Sequence, residues 1–139
     1  MAKPAVSYGW DWHPRLVPLG IWDDTYLEIQ TSDFINDIHV HYILNEKLTN
    51  AEIKLEITGR NLKDLPFVWT LKDESGKELL KSEGKTELTF PNPQLWWPHD
   101  HGKPYLYTST IQLFDPSWKV IQTRESKIGF RRVKLVMNE

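Results

Sequence analysis

The chain has 139 residues, 40% of them hydrophobic and 12% aromatic, which is enough apolar material for one folded domain of ordinary size. Its 17 basic and 19 acidic residues give a formal net charge of -2, and neither sign runs in blocks. The charge pattern therefore argues against a nucleic-acid groove or an anionic-membrane surface. Because there is no cysteine, disulfides, thiol chemistry and cysteine-ligated zinc are excluded.

No apolar run approaches the roughly 20 residues that a transmembrane helix requires, and the first residues lack the apolar core of a signal peptide. We therefore expect a soluble protein with no membrane partner. The compartment stays open, because a longer parent protein with a signal peptide would be periplasmic or extracellular.

An aromatic segment comes first in chain order, reading Tyr8-Gly9-Trp10-Asp11-Trp12-His13-Pro14-Arg15. An indole presents a flat apolar face to the C–H side of a sugar ring, and a carboxylate accepts hydrogen bonds from neighbouring hydroxyls. Packing is the commoner explanation of a Trp-x-Trp segment, because alternation places both rings on one face of an extended strand. On these residues alone, sugar contact and packing both stay open.

The next feature is a change of pattern near residue 30. The stretch Lys3 to Gly20 contains three prolines and two glycines and does not alternate, whereas Tyr26 to Gln30 alternates as a strand does. We place a domain boundary near Thr31 to Phe34. Residues 1–30 then belong to the end of a preceding domain, and residues 31–139 form the main domain.

Beyond residue 34 apolar residues recur with a period of two. Ile38, Val40, Tyr42 and Leu44 share one face of a predicted strand, and Tyr105 to Leu113 alternates in the same way. Further strands are predicted around 53–57, 67–71, 88–90, 120–128 and 130–136, and a hairpin turn at 73–77. Asn61 to Leu65 is the one helix-like candidate, a single 3₁₀ turn ended by Pro66.

About seven short strands with regular turn signals predict an all-β fold, an immunoglobulin-like β-sandwich of two antiparallel sheets. A jelly roll is the alternative, and the sequence alone separates the two poorly. Trp22, Trp69 and Trp118 lie in or beside alternating strands, so we expect core or domain-interface positions for them.

Two histidine groups resemble metal ligands at first sight. His39 and His41 share a strand face, and His99-Asp100-His101 lies in a loop. Neither group has third and fourth ligands at a recognisable spacing, so we expect no metal and no cofactor. The acidic candidates occupy turns or strand ends, where solvated carboxylates are common, and we expect no catalytic residue among Asp23, Asp24, Asp73, Glu74 and Glu83.

Three blocks in order resemble family 2 glycoside hydrolases, in their β-mannosidase branch. The first runs from Tyr8 to Pro14 and continues at Gly20-Ile21-Trp22, and resembles the end of the family's sugar-binding jelly-roll domain. The second is Asn92-Pro93-Gln94-Leu95-Trp96-Trp97-Pro98, with Gly102, Pro104, Leu106 and Tyr107 after it. The third, Ile128-Gly129-Phe130-Arg131, resembles the strand that ends the immunoglobulin-like domain before the catalytic barrel.

The resemblance implies a retaining exo-glycosidase whose two catalytic carboxyl groups both lie in the barrel, so this chain alone is expected to be inactive. Its partners would be the sugar-binding and barrel domains of the parent. There Asp11 would bind hydroxyls of the terminal sugar and Trp10 would shape the pocket. The resemblance also implies that Trp96 and Trp97 fix a loop against neighbouring strands. His13 stands where the family generally has glycine, which puts the substrate preference in question.

Two other interpretations stay open. The chain could be a free-standing carbohydrate-binding or adhesion module that uses its aromatic residues directly. It could also be the same domain of a β-galactosidase or β-glucuronidase, since those branches share the Gly-Ile-Trp-like and Gly-Phe-Arg elements.

Overall fold

Seven β-strands make up the fold in the computed structural model, which describes residues 20–21 and 23–137. All strand pairs within the two sheets are antiparallel. The strands are β1 (Phe34–Leu44), β2 (Asn50–Arg60), β3 (Phe67–Lys72), β4 (Glu78–Glu83), β5 (Glu87–Pro91), β6 (Tyr107–Phe114) and β7 (Val120–Ile128).

The strands form a three-stranded sheet, β1-β2-β5, and a four-stranded sheet, β4-β3-β6-β7. Together they build the predicted immunoglobulin-like sandwich. Constant-type immunoglobulin domains put their fourth strand in the first sheet. Here β4 pairs with β3 instead, from Val68 opposite Glu83 to Lys72 opposite Glu78, and the second sheet gains a strand.

The core lies between the inner faces of the two sheets, and the predicted faces are confirmed. Tyr107, Ser109, Ile111 and Leu113 are all buried on one side of β6. The largest side chain of the core is Trp69 on β3, which is 0% exposed and donates from Nε1 to Ser109 Oγ at 2.9 Å. A buried indole N–H needs such a partner, so Ser109 is a polar residue that the core requires.

A β-bulge interrupts β1 shortly after its start, where the pairing with β2 shifts between Ile35 and Asp37. Opposite the bulge lies Gly59, where an added Cβ would sit 2.1 Å from the Phe34 carbonyl oxygen. The backbones therefore approach more closely there than any side chain allows.

The β3–β4 and β6–β7 hairpins have turns with the same five-residue pattern, Asp-x-Ser-x-Lys. In the β3–β4 turn, Asp73 Oδ1 accepts hydrogen bonds from the backbone N–H of Ser75 at 2.9 Å and of Lys77 at 3.0 Å. Asp115 makes the equivalent bonds to Ser117 at 2.8 Å and Lys119 at 3.0 Å. The turn predicted at 73–77 is thus confirmed.

Two predicted strands are wrong. Phe130 makes only an isolated bridge to Leu95, and residues 131–137 are exposed and carry no strand pairing. Residues 26–30 are likewise exposed and unpaired. The chain between β2 and β3 makes a turn closed by Leu65 N–H donating to the Leu62 carbonyl at 3.3 Å, with no 3₁₀ helix. Across the residues that the structure describes, no helix is long and apolar enough to cross a membrane.

Candidate functional site

Trp10 and Asp11, the substrate-binding residues expected in the parent enzyme, lie outside the described residues, as do Trp12, His13 and Trp22. The other two motif blocks are described in full. They meet at one end of the sandwich, and this junction of residues 92–107 with residues 128–131 is the candidate site.

Phe130 is the centre of the junction. It is 0% exposed, and its ring lies 5.0 Å from the ring of Tyr42, 5.6 Å from that of Phe90 and 5.3 Å from that of Tyr107. Its carbonyl oxygen accepts the backbone N–H of Trp96 at 2.8 Å. The third block therefore adds its aromatic ring to the core and is hydrogen-bonded, backbone to backbone, to the second block.

The Trp-Trp-Pro segment folds into a small hairpin. Trp96 bridges Pro104, and the Trp97 N–H donates to the Lys103 carbonyl at 3.1 Å. Gly102, at φ 151°, packs directly under the second indole, since an added Cβ would lie 2.8 Å from Trp97 Cγ. The expectation that the two tryptophans fix a loop against neighbouring strands is thus met by Trp96, which is partly buried, while Trp97 stays 46% exposed.

Tyr42 on β1 joins the opposite sheet to the junction. Its hydroxyl donates to the Gly129 carbonyl at 2.9 Å and accepts the backbone N–H of Arg131 at 3.1 Å. The Arg131 guanidinium then lies over the Trp96 ring, 4.7 Å from its centroid. Together with Leu106, these residues line an open groove of about 320 Å³.

Tyr107, at the start of β6, holds the loop of residues 92–106 through its hydroxyl group. The Tyr107 hydroxyl accepts the backbone N–H of Gln94 at 2.7 Å, and burial raises the pKa of this phenol. A tyrosine that bonds back to the backbone in this way is a mark of immunoglobulin-like domains, where it fixes the preceding corner.

An ion pair holds the loop from the side. Lys103 bonds to Glu74 of the β3–β4 turn; this bond raises the pKa of Lys103 and lowers that of Glu74. The Lys103 ammonium also lies 5.0 Å from the centroid of the Tyr105 ring. Elements from both sheets thus hold the loop in one arrangement.

Neither histidine group forms a metal cluster. The rings of His39 and His41 lie 4.5 Å apart on the outer face of β1, and His41 Nε2 is 3.0 Å from Glu56 Oε2. His99 and Asp100 are almost fully exposed. Among the residues that the structure describes, no group of three or more histidine or acidic side chains is arranged to hold a metal ion.

The acidic candidates lie at turns and strand ends, as predicted. Asp73 closes a turn, Glu74 pairs with Lys103, and Asp23 accepts the backbone N–H of its neighbour Asp24 at 2.8 Å. Glu83 is exposed at the end of β4. Of the tryptophans, Trp69 is core as expected, whereas Trp118 is 55% exposed and packs on Phe114 at 5.3 Å.

Two polar residues of β7 make contacts that were not predicted. Gln122 and Arg124 lie on the inward side of β7, opposite the buried Leu113 and Ile111 of β6, and both bond to the backbone of Ile35. No signal in the local sequence distinguishes them, because Thr123 and Glu125 beside them are polar as well.

Comparison with known proteins identifies relatives along nearly the whole chain. The family model described as Glycosyl hydrolases family 2 matches residues 33–131. The chain is 29% identical to Beta-mannosidase B of Emericella nidulans, covering 96% of this chain and 17% of that protein. It is 31% identical to a Beta-galactosidase of Halalkalibacterium halodurans, covering 86% of this chain and 12% of that protein. The chain thus spans only a minor part of the curated relatives it matches.

Solved structures give the same picture. A β-glucuronidase from Ruminococcus gnavus, in complex with uronic deoxynojirimycin, superposes with a TM-score of 0.59 at 30% identity, over 72% of this chain and 16% of that chain. The Parabacteroides merdae β-glucuronidase superposes with a TM-score of 0.61 at 21% identity, over 74% of this chain and 14% of that chain, and supports the fold alone.

Proposed function

The chain belongs to family 2 of the glycosyl hydrolases, and from this membership we propose that it is a non-catalytic region of a retaining exo-glycosidase acting on terminal β-mannosides. In this proposal residues 1–30 end a sugar-binding domain, and residues 31–139 form the sandwich that precedes a catalytic barrel. The sandwich holds the sugar-binding domain against the barrel, so that Trp10 and Asp11 reach the active site.

One observation carries the proposed role, namely the junction of the second and third blocks. Phe130 and Trp96 are joined backbone to backbone, and Tyr42 bonds to the residues on either side of Phe130. The point where the chain leaves the sandwich, at Arg131, is therefore rigidly tied to both sheets. Such a tie suits a domain whose task is to fix the direction of the next domain along the chain.

Retaining hydrolysis needs two carboxyl groups about 5 Å apart across the scissile bond. We assign both to the remaining length of the parent, because the chain spans 17% of the Emericella relative. The isolated chain is accordingly proposed to be inactive.

The mannoside assignment draws on the 29% identity to Beta-mannosidase B over 96% of the chain and on the Trp-Asp-Trp and Leu-Trp-Trp-Pro segments. The Beta-galactosidase relative, at 31% identity, favours a second candidate substrate. Comparing kcat/KM for aryl β-mannoside, β-galactoside and β-glucuronide in the full-length enzyme decides among them. A preference for either of the last two sugars by about tenfold or more would overturn the mannoside assignment.

The candidate from another class is a free-standing carbohydrate-binding module. Calorimetric titration of the 139-residue chain with mannobiose separates the two: an enzyme fragment should release no binding heat, because its sugar site is incomplete. The control is Asp64→Asn, because Asp64 is exposed in the turn between β2 and β3 and its φ of 65° suits asparagine. Binding that Asp11→Ala abolishes, and that Asp64→Asn leaves unchanged, would favour the module and reject the fragment.

A further inference from the structure

The side chain of Gln122 on β7 connects β1 to the second sheet. It makes the hydrogen bonds that the backbone of a neighbouring strand would otherwise make. Ile35, at the start of β1, is 0% exposed and lies on the edge strand of its sheet. Its N–H donates to Gln122 Oε1 at 2.6 Å, and its carbonyl accepts from Gln122 Nε2 at 3.2 Å. The amide of Gln122 thus satisfies both backbone groups, as a paired strand would.

Arg124 lies two residues along β7, on the same face as Gln122. Its Nε and Nη2 donate to the same Ile35 carbonyl at 3.3 Å and 3.2 Å. Nη2 also bonds to Glu28 Oε1. One planar guanidinium therefore joins the sandwich to a residue six positions before β1, which the single ammonium of a lysine could not do in the same geometry.

Glu28 belongs to a segment with little other attachment. Tyr26, Leu27 and Ile29 are 83%, 90% and 91% exposed. The hydrogen bonds of Asp24 and Gln30 stay within this segment. Among the described residues 23–30, the Arg124–Glu28 bond is the polar contact that reaches the sandwich; the next attachment is at Ser32, whose carbonyl accepts from Asn61 Nδ2 at 3.0 Å.

We propose that Arg124, supported by Gln122, is a positioning residue that fixes the direction in which residues 23–33 leave the sandwich, and we call its contact with Glu28 the latch. An ion pair that is about one-third exposed on each side is worth little as stabilisation, and its main effect is to restrict the angle of the segment. The functional purpose of the latch rests on the proposed function, because the segment that contains Glu28 follows Trp10 and Asp11 in the sequence.

A distance measurement between two spin labels tests the latch. The chain has no cysteine, so Thr25→Cys and Lys47→Cys give two unique labelling sites. Thr25 lies in the segment that precedes β1, and Lys47 lies in the β1–β2 turn at the other end of that strand. The 11 residues of β1 span about 35 Å. Pulsed electron paramagnetic resonance then reports the distribution of distances between the segment and the far end of the sandwich.

We expect Arg124→Met and Glu28→Gln each to widen this distribution about twofold or more, because the freed segment behaves as a flexible linker. Lys127→Met, on the same strand but bonded to Thr108, is the matched control and should change nothing. Since Glu28 lies outside the sandwich, its substitution cannot act by unfolding the domain.

An unchanged distribution in Glu28→Gln would overturn the latch and leave the proposed function standing. The reverse case is separable, because a preference of the full-length enzyme for β-galactoside or β-glucuronide would overturn the mannoside assignment and leave the latch. Equal widening by Lys127→Met would also overturn the latch, since the effect would then not depend on the Glu28 contact.

Discussion

At the scale of single residues, side chains in this domain repeatedly serve as backbone partners. Asp73 and Asp115 each accept two backbone N–H groups inside a hairpin turn, and each also accepts a serine hydroxyl, at 2.6 Å and 2.7 Å. The hydrogen bond from Ser75 holds the pKa of Asp73 below its usual value, and that from Ser117 does the same for the pKa of Asp115. Both turns therefore prefer the ionised carboxylate.

A pH dependence of stability follows from these lowered pKa values. The unfolded carboxyl titrates near pH 3.9, so the stabilisation is complete above that pH and is lost as the pH falls through the lower folded pKa. We expect Asp73→Asn to lower the melting temperature at pH 7, and the difference from the unmodified chain to shrink as the pH falls below about 4. Melting followed by circular dichroism, with Asp64→Asn as the control, measures it. A difference that does not vary with pH would contradict the assignment.

The Tyr107 hydroxyl gives a second prediction at this scale. Tyr107→Phe removes the acceptor of the Gln94 N–H in a partly buried corner, so the free energy of unfolding should fall by about 1 kcal/mol. Tyr105→Phe is the matched control, because the two rings are neighbours at 4.9 Å. Urea unfolding measures both variants, and equal losses would show that the hydroxyl bond is not the cause.

At the scale of elements, alternation predicted strands correctly only where a partner strand and a covered face were both available. Tyr107 to Leu113 alternates and is buried on one side by the opposing sheet. Val133 and Leu135 alternate as well, yet both are 83% exposed. Periodicity records which side chains can share a face, whereas pairing depends on a neighbour that local sequence does not specify.

Substituting two glycines separates the effect of a clash with the backbone from the effect of a clash with a side chain. At Gly59 an added Cβ meets the Phe34 carbonyl at 2.1 Å, and at Gly129 it meets the Trp96 side chain at 3.0 Å. We expect Gly59→Ala to lower the free energy of unfolding by more than about 3 kcal/mol, because the bulge must open. Gly129→Ala should cost about 1–3 kcal/mol, because the indole can shift. Urea unfolding of the two variants tests the order, and the reverse order would contradict this account of the bulge.

At the scale of the whole molecule, residues far apart in sequence are joined by contacts that local patterns did not predict. The family resemblance identified the segments that contain Trp96 and Phe130, but it did not predict that these segments contact each other. That contact is a backbone hydrogen bond between Trp96 and Phe130, and Tyr42 of the other sheet supports it by bonding to Gly129. The latch at Arg124 was not predicted at all. Gln122 and Arg124 alternate with polar neighbours, so the strand lacks the apolar face that marks inward positions, and only the fold shows Ile35 beside them.

The last prediction concerns Asp11 in the full-length enzyme. If its carboxylate binds hydroxyls of the terminal sugar, Asp11→Ala should lower kcat/KM for an aryl β-mannoside by about tenfold or more, the scale of one lost charged contact. Asp11→Asn keeps an acceptor and loses the charge, so its loss should be smaller. Steady-state kinetics measure both, with Asp64→Asn in the exposed turn between β2 and β3 as the control.

The choice of substrate sharpens this test. A contact to one hydroxyl discriminates between sugars that differ in its orientation, so Asp11→Ala should also narrow the preference for β-mannoside over β-galactoside. An equal loss of activity for both sugars would indicate that Asp11 has a structural role and does not discriminate between the two sugars. Unchanged kinetics would remove Asp11 from the site, while the sandwich, its junction at Phe130 and the latch at Arg124 would stand on their own contacts.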